Sequence, residues 1–318
     1  MSFAFVFPGQ GSQSVGMLAS LSGTDPVVQN TFDEASAVLG YDLWHLVQEG
    51  PQARLNSTEY TQPAMLASGI ATARLWARRG GKDPAVVAGH SLGEFTALVA
   101  AGVLEFPTAI ALVRFRGRTM EEAVPTGTGA MAAVLGLDDA AVEAACQEAA
   151  QGAVVEPVNF NSPGQVVIAG ETAAVNRAIA AAKARGAKRA VVLPVSVPSH
   201  SSLMRKAAER FGQQLASVEL RAPRIRYISA VDAAAHSDVA DIRALLTRQL
   251  TSPVRWVDTV RAIAAAGITQ VIECGPGKVL FGLSKRIEGV SGVSFTALED
   301  PAALETALTA TKGSAHAR

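Results

Sequence analysis

The stretch Ala85-Val86-Val87-Ala88-Gly89-His90-Ser91-Leu92-Gly93-Glu94 runs on into Phe95-Thr96-Ala97-Leu98-Val99-Ala100-Ala101, and its reading decides the fold. The short Val/Ala run before Gly89 reads as a buried strand, and the Ala/Leu/Val-rich run after Gly93 as a buried helix. Between them lies Gly-x-Ser-x-Gly at Gly89, Ser91 and Gly93. A strand that turns sharply into a helix needs small residues on both sides of the turn, because a Cβ there would strike neighbouring backbone. The residue at the apex is then strained and exposed, with its hydroxyl at a helix N-terminus. That is where an enzyme places a nucleophilic serine and gathers a developing negative charge. The bland alternative is an ordinary glycine-rich strand–helix turn.

The chain has 318 residues, 49% hydrophobic and 18% charged, enough for one large domain or a large and a small one. Lys plus Arg (28) equals Asp plus Glu (28), which argues against bulk attraction to nucleic acid or to an anionic membrane. Cys146 and Cys274, far apart in sequence, suggest neither a metal cluster nor a disulfide framework. The N-terminus Met1-Ser2-Phe3-Ala4-Phe5-Val6-Phe7 lacks a basic region and is cut short by Pro8, so it reads as a strand rather than a signal peptide. No apolar run is long enough to span a membrane. A soluble cytoplasmic enzyme is the expectation.

After the first strand comes Pro8-Gly9-Gln10-Gly11-Ser12-Gln13, a loop that exposes backbone N–H groups. A dinucleotide site would need a third glycine where Ser14 stands, and an acidic residue closing a second strand; neither is present. If the first strand lies beside the elbow strand, the N–H groups of Gln10 and Leu92 make the two donors of an oxyanion hole. Helices are expected over Val27–Leu39, over Tyr60–Arg79 with Pro63 in its first turn, and from about Pro107 to Glu122. On the last of these, Arg114 and Arg118 share a face while Arg116 points the other way, among Leu112, Val113 and Met120. A guanidinium in apolar surroundings needs an anion. That anion is either an internal Asp or Glu, making a structural salt bridge, or a substrate carboxylate.

From Gly127 the order β-α-β-β-α-β is expected, the pattern of a ferredoxin-like unit. Its elements are a strand at Met131–Leu137, a helix capped by Asp138, a strand at Val154–Phe160, the turn Asn161-Ser162-Pro163-Gly164, a strand at Gln165–Ala169, a helix capped by Thr172, and a strand at Ala190–Val195. Residues 127–197 thus read as a small domain inserted into a large α/β domain made of 1–126 and 198–310. Residues 311–318 read as a frayed tail.

Ser91 needs a base, and there are five histidines. His316 lies in the tail, and His45 and His236 sit in segments without accompanying chemistry. His90 precedes the nucleophile and leaves the elbow on another side, for packing or substrate contact. His200 closes Pro194-Val195-Ser196-Val197-Pro198-Ser199-His200, a proline-stiffened connection where the small domain returns to the large one. Such a junction borders a cleft. A hydrolase-type triad would need an acid between Ser91 and His200, but Asp138 and Asp139 read as helix caps. The orienter of the histidine is therefore something other than a carboxylate, and a backbone carbonyl would fix the same tautomer.

These residues carry a resemblance. Pro8-Gly9-Gln10-Gly11-Ser12-Gln13, Gly89-His90-Ser91-Leu92-Gly93-Glu94, Arg116-Gly117-Arg118, Asn159-Phe160-Asn161-Ser162-Pro163-Gly164-Gln165, Pro198-Ser199-His200 and Gly275-Pro276-Gly277 occur in order. The chain closely resembles the malonyl-CoA:acyl carrier protein transacylases of type II fatty acid synthesis, up to about residue 310. The resemblance implies a large α/β-hydrolase-like domain with a parallel sheet carrying the ferredoxin-like insert. It implies that Ser91 is malonylated, that His200 is its base, and that Gln10 and Leu92 hold the oxyanion. It also implies that Arg116 pairs with the malonyl carboxylate and that Gln249 orients His200 through its main-chain carbonyl. Asn159 would lie near the incoming thioester. Malonyl-CoA and an acyl carrier protein are the implied partners, with no cofactor, no metal, no nucleic acid and no membrane. The alternatives left open are a serine esterase or thioesterase, a nucleotide-binding module, and a malonyl transferase serving malonate decarboxylase or polyketide synthesis.

Overall fold

Strand β1 (Phe3–Phe7) is buried along its whole length, as a central strand covered by helices on both faces should be. In the computed structural model, which describes residues 2–125, 127–195 and 197–312, its alternation sorts two cores. Phe3, Phe5 and Phe7 enter one, with Trp76, Phe32 and Phe95; Ala4 and Val6 enter the other, with Trp256, Ile263 and Val271. The small residues on the second face leave room for the indole.

Six strands make the first sheet, in the order β10 (Ser294–Ala297), β9 (Gln270–Glu273), β1, β2 (Val86–Gly89), β7 (Arg226–Ile228), β8 (Ala235–His236). The first five run parallel, and β8 is antiparallel to β7. Strand β2 lies beside β1 with Gly89 opposite Phe7, so the loops after both strands emerge at the same end. The second sheet holds β3 (Gly129–Leu135), β4 (Val155–Ser162), β5 (Gln165–Glu171) and β6 (Arg189–Val192), in the order β4-β5-β3-β6 with every pairing antiparallel. Helices Asp139–Ala150 and Thr172–Ala184 bury Val142, Cys146 and Val175 against one of its faces. The two sheets are joined where β4 meets Val254: Phe160 N–H donates to the Val254 oxygen and Val254 N–H to that of Val158, both at 2.9 Å. The fold is thus mixed α/β with a parallel sheet, as expected.

Several boundaries differ from the sequence reading. The expected Tyr60–Arg79 helix spans Thr58–Arg78, which puts Pro63 inside it rather than in the first turn. The expected turn at Asn161–Gly164 shrinks to Pro163-Gly164. Two register shifts in β4 keep it paired with β5 as far as Ser162 opposite Gln165. Glu171, not Thr172, is the N-cap residue of its helix; the Thr172 hydroxyl donates to the Gly127 carbonyl at 3.0 Å. Thr311 and Lys312 belong to the helix Pro301–Lys312, with Thr311 buried, so the tail is shorter than expected. The rest of it, 313–318, lies outside the described residues, as do Met1, Thr126 and Ser196.

The elbow explains its glycines. Helix Gly93–Ala100 starts so close to β1 that a Cβ on Gly93 would overlap the Phe7 carbonyl, and one on Gly89 would overlap the backbone of Gly93. Neither obstacle is a movable side chain. Gly93→Ala is expected to cost about 3 kcal/mol or more, at or beyond the upper end of ordinary overpacking. Thermal melting checks this: a variant that melts within a degree of the parent would show that the approach is looser than described.

Candidate active site

Ser91 stands at the apex with φ 53°, a left-handed conformation that costs a non-glycine residue energy and is held here by its surroundings. Its Oγ lies 2.7 Å from His200 Nε2, and His200 Nδ1 lies 2.8 Å from the main-chain oxygen of Gln249. A carbonyl only accepts, so Nδ1 carries the proton and the Nε2 lone pair faces the serine hydroxyl. His200 is also left-handed, at φ 67°, and its loop is pinned by Ser201 Oγ on the Pro198 oxygen and by Ser202 N–H on Glu156 Oε2, both at 2.7 Å. Burial, and then the positive charge of Arg116, bring the imidazole pKa down to about 3. The imidazole is neutral.

Arg116 is 1% exposed on the inner face of helix Phe106–Ala123. Arg114 and Arg118, on the outer face, pair with Glu59 and Glu122. Among the described residues Arg116 has no carboxylate partner. Nη1 donates to Gln62 Oε1 and Nη2 to Gln249 Oε1, each at 2.9 Å; Nη2 also lies 3.4 Å from Ser91 Oγ, and the buried Nε finds no acceptor. The face of Phe95 lies 5.4 Å away. Burial lowers the guanidinium pKa to about 10, against the attraction of Glu94, and leaves it charged at neutral pH.

A cavity of about 450 Å³ opens over these groups, between the elbow, the Gln10 loop and the second sheet. Gln10, Ser91, Leu92, Arg116, Asn159 and His200 all line it. The main-chain N–H groups of Gln10 and Leu92 have no acceptor among the described residues. Asn159, on β4, presents a buried Oδ1 without a partner. Of the sequence-expected site residues, then, all seven meet at one place. Gln249 does so through both its main chain and its side chain, whose Nε2 donates to the Ser91 carbonyl at 2.9 Å and to Glu94 Oε2. His90 Nε2 is 2.8 Å from Asn161 Oδ1 and the ring packs against Trp256, so His90 is a packing residue at the cavity wall; burial lowers its pKa. His45 is exposed and His236 pairs with Asp232, both away from the cavity, while His316 lies outside the described residues.

Two polar groups of the site went unassigned in the sequence: Gln62, beside Pro63, and Glu94. Their partners lie 54 and 155 residues away, and no local pattern signals such contacts. Among the described residues no cluster of His, Cys, Asp or Glu is arranged for a metal ion, and no helix is long and apolar enough to cross a membrane.

Residues 4–289 match the family described as acyl transferase domain. The malonyl CoA-acyl carrier protein transacylase of Salmonella typhimurium is 57% identical over 307 residues, 96% of this chain and 99% of that one. An acyl carrier protein S-malonyltransferase from Vibrio cholerae superposes with a TM-score of 0.93 at 56% identity, over 96% of this chain and 100% of the other. A malonyl-transacylase solved in complex with its type II PKS acyl-carrier protein superposes at 0.95 with 55% identity, over 98% and 100%. The chain belongs to the acyl transferase domain family and, within it, to the malonyl CoA-acyl carrier protein transacylases.

Proposed function

We propose that this enzyme moves a malonyl group from malonyl-CoA to the phosphopantetheine thiol of an acyl carrier protein, through a malonyl ester of Ser91, to feed fatty acid elongation in the cytoplasm. The observation that carries the reading is the buried Arg116, charged, without a carboxylate in contact with it among the described residues, and 3.4 Å from the Ser91 hydroxyl. The names of the relatives support the donor and the acceptor.

In the first half-reaction Ser91 Oγ attacks the thioester carbonyl while His200 Nε2 takes its proton. The oxyanion is received by the N–H groups of Gln10 and Leu92, which are free of other acceptors among the described residues. Collapse breaks the C–S bond, and His200 returns the proton to the leaving coenzyme A thiolate. In the second half the carrier thiol gives its proton to His200 and attacks the serine ester, and the proton ends on Ser91. Throughout, Arg116 grips the distal carboxylate, and Asn159 Oδ1 accepts from an amide N–H of the incoming arm. No cofactor enters these steps. The βαββαβ order of β3–β6 and the sheet order β4-β5-β3-β6 support a ferredoxin-like insert at 127–197 in an α/β-hydrolase-like domain of 1–126 and 198–310.

Brief incubation with malonyl-CoA should add one malonyl group, found by mass spectrometry on the Ser91 peptide, and Ser91→Ala should add none. A label elsewhere, or free malonate released without a thiol acceptor as fast as transfer proceeds with one, would sink the transfer reading. Arg116→Ala should cost malonyl transfer about 2–5 kcal/mol, roughly 30- to 5,000-fold in kcat/KM, because one partner of a desolvated charge pair is gone. Acetyl transfer should hold or rise. Equal losses for both acyl groups would make the arginine structural.

The lowered pKa of His200 has a sign that can be measured. Below about pH 6.5 the unfolded chain takes up a proton that the folded imidazole refuses, so this residue's contribution to stability is lost as pH falls from 6.5 toward 3. The base stays available over the same range, so malonyl-CoA kcat/KM should show no acid limb from His200 between about pH 5 and 8. In Arg116→Ala one cause of the depression is removed and the limb should move to higher pH. A limb near 6.5 in the wild type would contradict the buried, neutral imidazole.

A further inference from the structure

Arg116 is not the only charge sealed into this site. Glu94, the second residue of the helix that leaves the elbow, is also 1% exposed, and no step above uses it. Its Oε1 accepts from the Tyr227 hydroxyl at 2.7 Å and from the Ala230 N–H at 2.8 Å, and its Oε2 from the carboxamide N–H of Gln249. The other end of the same carboxamide, Oε1, accepts from Arg116 Nη2. Carboxylate, amide and guanidinium therefore follow one another in a chain, negative group, dipole, positive group. Burial pushes the Glu94 carboxyl pKa up, and the three donors that converge on its two oxygens pull the other way, favouring the ionised form.

We propose that Glu94 is the resident counter-charge of Arg116, held one amide away so that the guanidinium is compensated in the empty site while its open side stays free for a substrate carboxylate. The proposal rests on the malonyl reading of the site. A carboxylate in direct contact would compensate the charge better, but it would fill the guanidinium fork that the substrate needs. With neither arrangement, the buried cation would oppose folding. Placing the anion behind Gln249 meets both requirements. The arrangement has a cost with a definite direction. Glu94 and a bound malonyl carboxylate are two anions sharing one cation, so Glu94 stabilises the empty protein and weakens malonyl binding. Acetyl carries no charge there and is indifferent to it.

The test is a double-mutant cycle on the ligand-free protein: wild type, Glu94→Gln, Arg116→Met and the double variant, each melted thermally. Glu94→Gln should lower Tm by at least about 3 °C when Arg116 is present. In the Arg116→Met background the same change should do much less, or raise Tm, because the carboxylate is then the uncompensated charge. Arg116 fixes the Gln249 carboxamide that a glutamine at position 94 would face, so Glu94→Ala, which introduces no donor there, is run in the same two backgrounds and should show the same dependence on Arg116. A second arm, in a Ser91→Ala background to prevent turnover, measures acyl-CoA binding by calorimetry. Glu94→Gln should tighten malonyl-CoA about five- to thirtyfold, the effect of one charge roughly 8 Å away at an intermediate effective dielectric, and leave acetyl-CoA unchanged. Equal Tm shifts in the two backgrounds, or malonyl-CoA affinity unchanged or weaker, would overturn the proposal. If Glu94→Gln fails to fold while the double variant folds, the coupling stands in its extreme form; if neither folds, Glu94 is structural and the proposal falls. A Ser91→Ala protein that does not prefer malonyl-CoA to acetyl-CoA would defeat the malonyl reading instead, and the ligand-free cycle would still decide the counter-charge.

Discussion

The hydrogen bond from His200 Nδ1–H to the main-chain oxygen of Gln249 is the constraint on which the rest of the site depends. It fixes the tautomer, and so turns a lone pair toward Ser91. Gln249 opens a short 3₁₀ turn directly after helix Val239–Arg248, where carbonyl oxygens are no longer claimed by the helix and carry the negative end of its dipole. The same residue then extends its carboxamide across the site to Arg116, Glu94 and the Ser91 carbonyl. His200, Arg116 and the strained elbow are thus tied to one backbone position. Moving that position would disturb all three together; Gln249 and Leu250 of the turn are buried.

The cavity itself follows from how two sheets meet. The parallel sheet sends the Gln10 loop and the Ser91 elbow out at one end, because β1 and β2 are in register. The antiparallel sheet, joined to the larger body at Val254, closes the far side with Met131 and Asn159. The His200 loop is the stretch of chain that returns from one sheet to the other, so His200 sits at the seam. Glycines at 89 and 93 make the elbow possible only because nothing larger than hydrogen fits against Phe7 and the helix start.

Residues whose role is local were legible in the sequence. Gly89, Ser91 and Gly93 announce a turn by steric need alone, and Gln10 and Leu92 follow once the two strands are taken as neighbours. Arg116 stood out by helical spacing, although spacing could not say whether its anion was internal; the structure pairs it with two amide oxygens instead. Gln249 was beyond that kind of reading, since every residue owns a main-chain carbonyl, and it came only through the family resemblance. Glu94 and Gln62 act through contacts made in the folded chain, so their periodicity says merely that they are buried. The misplaced boundaries have the same origin: tertiary pairing carried β4 past Phe160 to Ser162, and packing kept Thr311 in a helix.

A histidine oriented by a carbonyl, and kept neutral to about pH 3, is a weak base. That weakness bears on how long the acyl-enzyme survives. A thiol gives up its proton near pH 8.5, whereas water holds its own to about 15.7, so a base too feeble to activate water can still activate a thiol. On the proposed mechanism, the serine ester would thereby be metastable in a solvent present at enormous excess over any carrier. Hydrolysis would be a slow leak instead of the main outlet. What would separate this site from a hydrolase built on a similar elbow is then a matter of restraint: a histidine backed by a carbonyl and not a carboxylate would preserve the cargo until the right acceptor arrives.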